Sequence, residues 1–358
     1  MSELFKILVV NPGSTSTKLG LFENEKQIAE KKIAHSSEEI AQYPNIMDQL
    51  ALRRKVMDEF LAENNVPASD LSAVVGRGGL LKPLLSGTYR VNEEMVNDLK
   101  SGQYGEHASN IGGVLAYSFD KDFNIPAFIV DPVVVDEMQE CARYSGIKEI
   151  PRRSVWHALN VMAVTRQFCE AEGLDRHNEN FVVAHIGGGI SIAAIENGKC
   201  IDVSNGLSEG PFTPERAGAL PTLELVDLCF SGKYTHSEIK KLLVGRGGLV
   251  NYLGTSALPE VKQRIENGDK ESQSVLHAMA YQVAKTVGSM LVVLKNKVNR
   301  VILTGGGAHN DILTGKISEY ITPFAPVKVI PGEDELAALA LGGLRVLRKK
   351  SEPRIYKA

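Results

Sequence analysis

The apolar and polar positions near the N terminus form an apolar block, a polar block and a second apolar block. The apolar run Ile7–Val10 stops at Asn-Pro-Gly, gives way to a polar segment and resumes at Leu19. Two short apolar segments separated by Gly and small hydroxyl residues predict two strands joined by a turn. The turn is longer than a chain reversal needs, and Lys18 ends it, so it could surround a phosphate with donors. An ordinary polar hairpin is the alternative. The hydroxyl residues are Ser14, Thr15, Ser16 and Thr17.

The same pattern returns near the middle of the chain. The stretch NFVVAHIGGGISIAAIENGKC, which starts at Asn180, repeats the order of strand, donor-rich turn, strand, Glu-Asn turn and strand. Asn11 falls opposite His185, and Asn24 falls opposite Asn197 with one residue of slippage. An internal repeat at half the chain length predicts two similar halves that each open with this hairpin. A chance resemblance between two hairpins is the alternative.

The rest of the chain alternates between helical and strand-like periodicity. Residues 36–67 have a capping signal and helical spacing interrupted by Pro44, whereas residues 71–79 and 125–138 are typical of strands. Apolar residues recur at helical spacing from Leu276 to Leu294. A strand ending in three glycines, a helix, another strand, an acidic turn and a last helix follow. This order predicts an α/β protein of two lobes with a cleft between them.

Length, charge and cysteine usage narrow the class of protein. The 358 residues favour two domains, and the net charge of −3 with no polybasic run argues against nucleic-acid and anionic-membrane partners. We find no apolar run that could span a bilayer and no signal peptide, so we expect a cytoplasmic protein. The cysteines lie far apart without CxxC pairs, which favours free thiols over a zinc site or disulfides. They are Cys141, Cys169, Cys200 and Cys229.

Eight motifs occur in an order that resembles one enzyme family. They are NPGSTSTK, GRGGLLKP, VDPVVVDEM, PRRSVWHALN, HIGGGISIAAI, GPFTPERAG, LTGGGAHND and PGEDELAALA. In this order they resemble the acetate and butyrate kinases of the actin-like ATPase superfamily, and the opening motif and short length are most similar to the butyrate kinases. The resemblance implies a two-lobed actin-like ATPase fold with duplicated ribonuclease H-like domains. Residues 1–151 with 337–358 would form the carboxylate and phosphate lobe, and residues 152–336 the nucleotide lobe.

The resemblance implies ATP and ADP as co-substrates and places three turns around the nucleotide. No P-loop and no protein-kinase HRD or DFG motif is present, which disfavours those solutions to phosphate binding. Consecutive glycines let backbone N–H groups approach oxygen atoms closely. The implied residues are Ser14, Ser16 and Lys18 in the first turn, His185, Gly187, Gly188 and Gly189 in the second, and Gly305, Gly306, Gly307 and Asn310 around the adenosine.

A carboxylate acceptor is already ionised at neutral pH, so the reaction needs no general base. It needs cations and oriented donors that bring two anions together. By resemblance, Arg77 would bind the carboxylate or the moving phosphoryl group, and His157 would donate to the transition state. Asp131 would orient these groups, and Asn11 completes the implied catalytic set. A surface arginine and a structural histidine are the alternatives.

The metal and the acceptor pocket also come from the resemblance. Asn11 and one acid of the Glu333–Glu335 cluster would hold Mg²⁺; we select Glu335, although the cluster could simply cap the last helix. The residues of the implied acceptor pocket are Gly79, His107, Trp156 and Pro214. A second arginine of the acetate kinases is missing, because Leu223 stands at its place; Arg216 lies nearer the FTP motif and is a candidate replacement.

The implied activity is reversible phosphoryl transfer between ATP and a short-chain fatty acid, butyrate first, with the acyl phosphate as product. Acetate, propionate or a branched-chain acid is the alternative acceptor. A nucleotide-driven binding protein of the actin or chaperone kind is the remote alternative. We also expect a homo-oligomer, either a dimer or a multiple of dimers.

Overall fold

The computed structural model describes residues 3–357, and the chain divides into two compact units. The first unit runs to Asp136 and resumes at Asp334, and the second is Glu137–Glu333. The predicted boundaries after residues 151 and 336 lie further along the chain. The segment after Asp136 belongs to the second unit because it bonds to a strand there: the Gln139 N–H donates to the Ile201 carbonyl at 2.9 Å.

The strands are short, as is usual for an α/β protein. In chain order they are β1 (Lys6–Pro12), β2 (Ser16–Glu23), β3 (Lys26–Ala34), β4 (Ala73–Arg77), β5 (Thr88–Arg90), β6 (Ala127–Val130), β7 (Asn180–Ile186), β8 (Ile190–Glu196), β9 (Lys199–Val203), β10 (Arg300–Gly305), β11 (Val327–Pro331) and β12 (Arg354–Ile355).

The helices connect these strands. They are α1 (Ser37–Ile40), α2 (Leu50–Glu63), α3 (Glu93–Ser101), α4 (Asn110–Phe123), α5 (Ala158–Glu172), α6 (Thr222–Phe230), α7 (His236–Leu243), α8 (Leu249–Leu253), α9 (Leu258–Glu266), α10 (Lys270–Val293), α11 (Asp311–Ile321) and α12 (Glu335–Leu347). Short 3₁₀ helices lie at Ile46–Gln49, Ala68–Asp70, Glu140–Arg143, Arg176–Asn178 and Gly306–His309.

Each unit contains one sheet, and the two sheets share a strand order. The first sheet runs β12-β5-β6-β4-β1-β2-β3 and the second runs β11-β10-β7-β8-β9. In both, three antiparallel strands form a meander, and two parallel strands add to the edge formed by its first strand. The added strands are β4 and β6 in one unit and β10 and β11 in the other. The predicted duplication is confirmed within the described residues.

The duplication extends to the detail of the hairpins. Asn24 and Asn197 both adopt a left-handed conformation, with φ of 54° and 50°. Each turn follows a register shift in the preceding strand, after Leu21 in one hairpin and after Ala194 in the other. Asn tolerates this conformation better than most other non-glycine residues. The turns after β2 and β8 therefore share the same backbone conformation at an Asn.

Apolar residues from these elements form a separate core in each unit. In the first, α2 and α4 pack on the sheet and α3 packs on α4; in the second, α10 supplies the largest share of the core. The predicted helical stripe lies in α10 and its immediate C-terminal end, and its members are buried. They are Leu276, Met279, Val283, Val287, Met290 and Leu294. This stripe therefore acts in packing.

The contact between β4 and α4 depends on glycine. A Cβ on Gly112 would lie 2.5 Å from the carbonyl oxygen of Arg77, closer than Cβ atoms approach in proteins. A Cβ on Gly76 would in turn collide with the backbone of Gly112. The start of α4 can therefore lie directly on the end of β4, which brings the helix beside Arg77.

We expect Gly112→Ala to lower the thermal unfolding midpoint. Alanine gains about 1 kcal/mol of helix propensity there, but overpacking against the β4 backbone costs about 1–3 kcal/mol. Gly288→Ala in α10 is the matched control, because a Cβ at that position meets nothing within 4 Å. It should raise the midpoint. Equal effects of the two substitutions would contradict the close approach of β4 and α4.

Candidate active site

The opening turn joins β1 and β2 as predicted. Asn11 pairs with Lys18 across the hairpin, and the Gly13 N–H donates to the Ser16 carbonyl at 2.7 Å to close the turn. Ser14 and Thr15 are exposed at its tip. The turn thus presents two hydroxyl residues to solvent next to a lysine.

Thr17 does not share that exposure. Its side chain is fully buried, and its hydroxyl lies 2.8 Å from His35 Nε2 and accepts a hydrogen bond from Arg53 at 3.0 Å. The expectation that the Thr17 hydroxyl helps to surround a phosphate was wrong. Successive side chains of a strand point to opposite faces, so Thr17 faces the interior when Ser16 and Lys18 do not.

A carboxylate at the start of α12 contacts two of the predicted site residues. Glu335 forms an ion pair with Arg77 at the end of β4, and it accepts a 2.6 Å hydrogen bond from Asn11 Nδ2 at the end of β1. Burial raises the pKa of Glu335, but the Arg77 charge and the hydrogen bonds from Arg77 and Asn11 outweigh it and hold the pKa below its ordinary value. Glu335 is therefore ionised at neutral pH.

The three acids of the cluster have different partners. Asp334 caps α12 by accepting from the Ala337 N–H at 2.8 Å, so the capping alternative is correct for this residue. Glu333 lies in the second unit, 3.3 Å from His185 Nε2. Of the three, Glu335 is the one that accepts a hydrogen bond from Asn11, and its selection as a metal ligand stays a prediction.

Asp131 follows β6 directly beside the strand that ends in Arg77. It is buried, and its Oδ1 accepts a 2.6 Å hydrogen bond from the Gly87 N–H. Its φ of 37° is uncommon for a residue with a side chain. Strained backbone of this kind often occurs at functional sites, which supports the prediction for Asp131.

His107 lies close enough to Arg77 to be affected by its charge. Burial and the Arg77 charge lower the pKa of His107, so the ring is neutral at pH 7. The Ser109 N–H donates to Nδ1 at 3.2 Å, and an accepting Nδ1 leaves the proton on Nε2. His107 can therefore donate one hydrogen bond without adding charge.

The remaining residues of the predicted acceptor pocket are placed as follows. Gly79 lies against the start of α4, where a Cβ would come 2.5 Å from the Cα of Asn110. Glycine is thus required there by packing, and its part in a pocket stays a prediction. Trp156 and Pro214 are buried in the second unit. Their contact with an acceptor also stays a prediction.

The central glycine turn joins β7 and β8 in the second unit. The Gly187 N–H donates to the Gly189 carbonyl at 2.9 Å, and the Gly188 carbonyl accepts from Thr213 Oγ1 at 2.6 Å. A Cβ on Gly187 would approach His185 Nε2 to 3.3 Å, so the turn folds back over that ring. The turn is therefore held by packing against the His185 ring and by the hydrogen bond from Thr213 of the FTP motif.

His157 and His185 form a stacked pair. Their ring centroids are 3.9 Å apart and the rings are 13° from parallel. His157 Nδ1 lies 2.8 Å from Ser191 Oγ, whereas His185 Nδ1 lies 2.9 Å from Asn160 Oδ1. Each ring is therefore held by a polar side chain of its own, Ser191 for His157 and Asn160 for His185.

Arg216 lies against the central turn. A Cβ on Gly189 would come 2.5 Å from the Arg216 Cζ, and Nη1 donates to the Gly206 carbonyl. Burial lowers its pKa, while nearby Glu215 acts in the opposite direction. Leu223, at the place of the missing arginine, is a 77% exposed residue of α6. Arg216 therefore places a cation at the central glycine turn, whereas position 223 does not.

The last glycine turn ends β10. Gly305 has a φ of 88°, and a Cβ there would come 2.9 Å from the Ile186 backbone nitrogen. The buried Asn310 caps α11 through the Leu313 N–H at 3.0 Å and donates to the Leu258 carbonyl at 3.2 Å. These contacts are structural, so an adenosine contact of Asn310 stays a prediction.

Three contact residues were missed by sequence reasoning. Ser191 and Asn160 stood inside quoted motifs, three positions from a glycine or a histidine, but nothing singled them out. Arg53 lies in a basic stretch that is typical of an exposed helix face. Only its burial reveals its contact with the opening turn.

Comparison with known proteins gives the family. The sequence model of the acetokinase family matches residues 144–318. Butyrate kinase 2 of Clostridium acetobutylicum is 50% identical over 354 residues, which cover 99% of both chains. The chain belongs to the acetokinase family. A probable butyrate kinase of Clostridium botulinum is 48% identical and covers 98% of this chain and 99% of that one.

Solved structures agree on the fold of this acetokinase. The crystal structure of Porphyromonas gingivalis acetate kinase has a TM-score of 0.81 at 20% identity, and the match covers 96% of this chain and 100% of that one. The predicted fold class and the predicted assignment to a kinase family are confirmed. Within residues 3–357, no helix has the length and apolar character needed to cross a membrane.

The lowered pKa of Glu335 makes stability depend on pH. A carboxylate whose folded pKa lies below the ordinary value of 4.5 stabilises the fold above that pH, and the contribution is lost as the pH falls through the folded pKa. We expect Glu335→Gln to cost about 1–3 kcal/mol at pH 7, because Arg77 loses its ion pair. The difference from wild type should shrink below about pH 4.5.

Chemical unfolding of both proteins between pH 3 and pH 7 measures this difference. Glu25→Gln is the control, because Glu25 pairs with Arg348 at the surface, where solvent screens the interaction. A pH-independent difference for Glu335→Gln, or one no larger than that of the control, would contradict a stabilising, partly buried ion pair.

Arg216→Ala should lower the turnover number on the order of 10³-fold, in the range of arginines that stabilise phosphoryl-transfer charge. Arg216→Lys should restore part of the loss, because a point charge replaces a forked donor. Gly189→Ala should approach the effect of Arg216→Ala by displacing the guanidinium. Steady-state kinetics of the three variants measure these turnover numbers. Near-normal turnover of Arg216→Ala would mean that Arg216 only stabilises the turn and takes no part in phosphoryl transfer.

Proposed function

We propose that this acetokinase transfers the γ-phosphoryl group of ATP reversibly to the carboxylate of butyrate, giving butyryl phosphate and ADP. The observation that carries the proposal is the 50% identity with Butyrate kinase 2 over nearly the whole of both chains. The order of motifs alone favours butyrate and keeps acetate, propionate and branched-chain acids as alternative acceptors.

The contacts in the first unit suit an anionic acceptor. Arg77 provides a forked cation, and its ion pair with Glu335 holds it at the end of β4. Neutral His107 adds a donor that does not compete with Arg77 for the anion. Butyrate is ionised at neutral pH, so neither residue needs to remove a proton from it.

The contacts in the second unit suit charge that develops on a transferring phosphoryl group. Ser191 and Asn160 fix the orientations of the stacked His157 and His185 rings. His157 is thereby held with its Nε2 directed away from Ser191 and can donate to a phosphoryl oxygen. Fixed donors of this kind need no reorganisation as charge develops.

Mg²⁺ belongs to the proposal as the companion of ATP. Among residues 3–357, no three His, Cys, Asp or Glu side chains converge into a metal cage. Asn11 Nδ2 donates to Glu335 Oε2 and Arg77 pairs with Glu335 Oε1, so the two residues would hold the cation through waters, which fits a Mg²⁺ bound mainly by nucleotide phosphates. Mg²⁺ bound there would neutralise charge on the phosphate oxygens.

We also propose a homo-oligomer in the cytoplasm. Helix α6 is apolar in composition yet has no buried residue, and Leu223, Val226 and Phe230 are 77%, 52% and 87% exposed. A cavity of about 670 Å³ beside it is lined largely by apolar residues of α6, α7 and α10. An exposed apolar surface of this kind is typical of a face that meets another chain.

The reaction is tested with ATP, Mg²⁺ and acids of two to five carbons. ADP formation gives the rates, and hydroxylamine traps the acyl phosphate as a hydroxamate. Two buried methylenes at about 0.8 kcal/mol each predict a kcat/KM for butyrate roughly tenfold or more above that for acetate. Isobutyrate should react within the same range as butyrate.

Two results would contradict the proposal in different ways. A kcat/KM that is highest for acetate or propionate would mean that this acid, and not butyrate, is the preferred acceptor. ATP hydrolysis that no acid changes, with no trapped hydroxamate, would favour a nucleotide-driven binding protein.

A further inference from the structure

Arg53 is the most deeply buried charged residue that the proposed reaction does not use. It lies in α2 and its side chain is fully buried. Its neighbour Arg54 faces the other way and reaches Asp58, Ser118 and Asp122 with 21% of its side chain exposed. Two adjacent arginines in one helix therefore have opposite environments.

All five N–H donors of Arg53 have acceptors. Nε and Nη2 donate to Gln49 Oε1 at 3.2 and 2.9 Å. Nη1 donates to the Ser16 carbonyl at 3.1 Å and to Thr17 Oγ1 at 3.0 Å, and Nη2 also donates to the Gly13 carbonyl at 2.9 Å. The guanidinium thus spans the opening turn, with one carbonyl bound at each end of it.

None of the four acceptor atoms of these five hydrogen bonds is a carboxylate oxygen. The charge of Arg53 is held by neutral oxygens alone; burial lowers the pKa of Arg53, and the charge of Glu39, which does not hydrogen bond to it, acts in the opposite direction. A buried charge costs free energy unless it is paired or hydrogen bonded. This arginine is fully hydrogen bonded, yet its positive potential is left available to an anion at the turn.

Two carbonyl contacts set the direction of peptide groups in the turn, one with Arg53 and one with the His35 backbone. In a trans peptide the N–H points opposite to the preceding carbonyl. Because the Gly13 carbonyl points to Arg53, the Ser14 N–H points away from it. The Thr15 carbonyl accepts from the His35 N–H at 2.9 Å, so the Ser16 N–H points away from β3.

We propose that Arg53 is a positioning residue for the nucleotide phosphates: it locks the turn between β1 and β2 with the Ser14 N–H directed away from the guanidinium and makes the turn electropositive. This inference rests on the proposed function, because it takes the turn as a phosphate site. Arg53 itself touches no substrate. It acts through Gly13 and Ser16.

The test compares Arg53→Met and Arg53→Lys with Arg54→Met. The Arg54 variant is the matched control, since it removes an arginine from the same helix together with its contacts to α4 but leaves the turn untouched. Titration calorimetry measures binding of a non-hydrolysable ATP analogue with Mg²⁺ and binding of adenosine, which has no phosphate.

We expect Arg53→Met to weaken binding of the analogue about tenfold or more and to leave adenosine binding unchanged. Arg53→Lys should fall between wild type and Arg53→Met, because three donors on a point charge cannot span both carbonyls. Hydrogen exchange at residues 13–17 should become faster in both variants. Arg54→Met should lower the unfolding midpoint without changing either affinity.

Three outcomes would overturn the inference. The first is an unchanged affinity for the analogue in a folded Arg53 variant, and the second is an equal loss for the analogue and adenosine. The third is failure of both Arg53 variants to fold while Arg54→Met folds, which would assign Arg53 to stability alone. The proposed reaction is judged separately, by the wild type and the acid panel, so its failure would not be confused with these.

Discussion

Removing a carboxylate from water costs free energy unless charged or polar groups replace its hydration. Glu335 has two such groups. Arg77 comes from the end of β4, Asn11 from the end of β1, and Glu335 itself from the start of α12. Satisfying one carboxylate therefore fixes the ends of three elements that lie far apart in the sequence. The opening turn, the Arg77 guanidinium and the first turn of the last helix take their places from this requirement, and glycine at position 112 lets α4 approach the same point.

Most of the fold could be predicted from the sequence because its signals are local. The hairpins follow from apolar runs that stop at Gly and Asn, and α10 follows from apolar residues repeated at helical spacing. The duplication was visible because both hairpins use the same Glu-Asn turn. The predicted boundary after residue 151 lies further along the chain than the division after Asp136, because a segment without regular structure joins whichever sheet bonds to it, and Gln139 bonds to β9.

The site was less predictable, since side-chain direction depends on partners that are distant in the chain. Motif order selected Arg77, Asn11 and Glu335, and these three do meet. Motif order could not say that Thr17 faces inward, because only the register of β1 with β2 decides it. It could not separate a buried arginine from an exposed one beside it, since Arg53 and Arg54 differ only in the face of α2 that they occupy.

The first unit is built from two segments, and the second segment is translated last. Asn11 and Arg77 leave the ribosome early, but Glu335 follows only after the whole of the second unit, 137–333, has been made. At ordinary elongation rates the delay is on the order of ten seconds or more. During this interval the nascent chain carries an arginine without its carboxylate and a sheet without its last helix. Synthesis order alone thus leaves the first unit without the carboxylate that holds Arg77 until the second unit has been made.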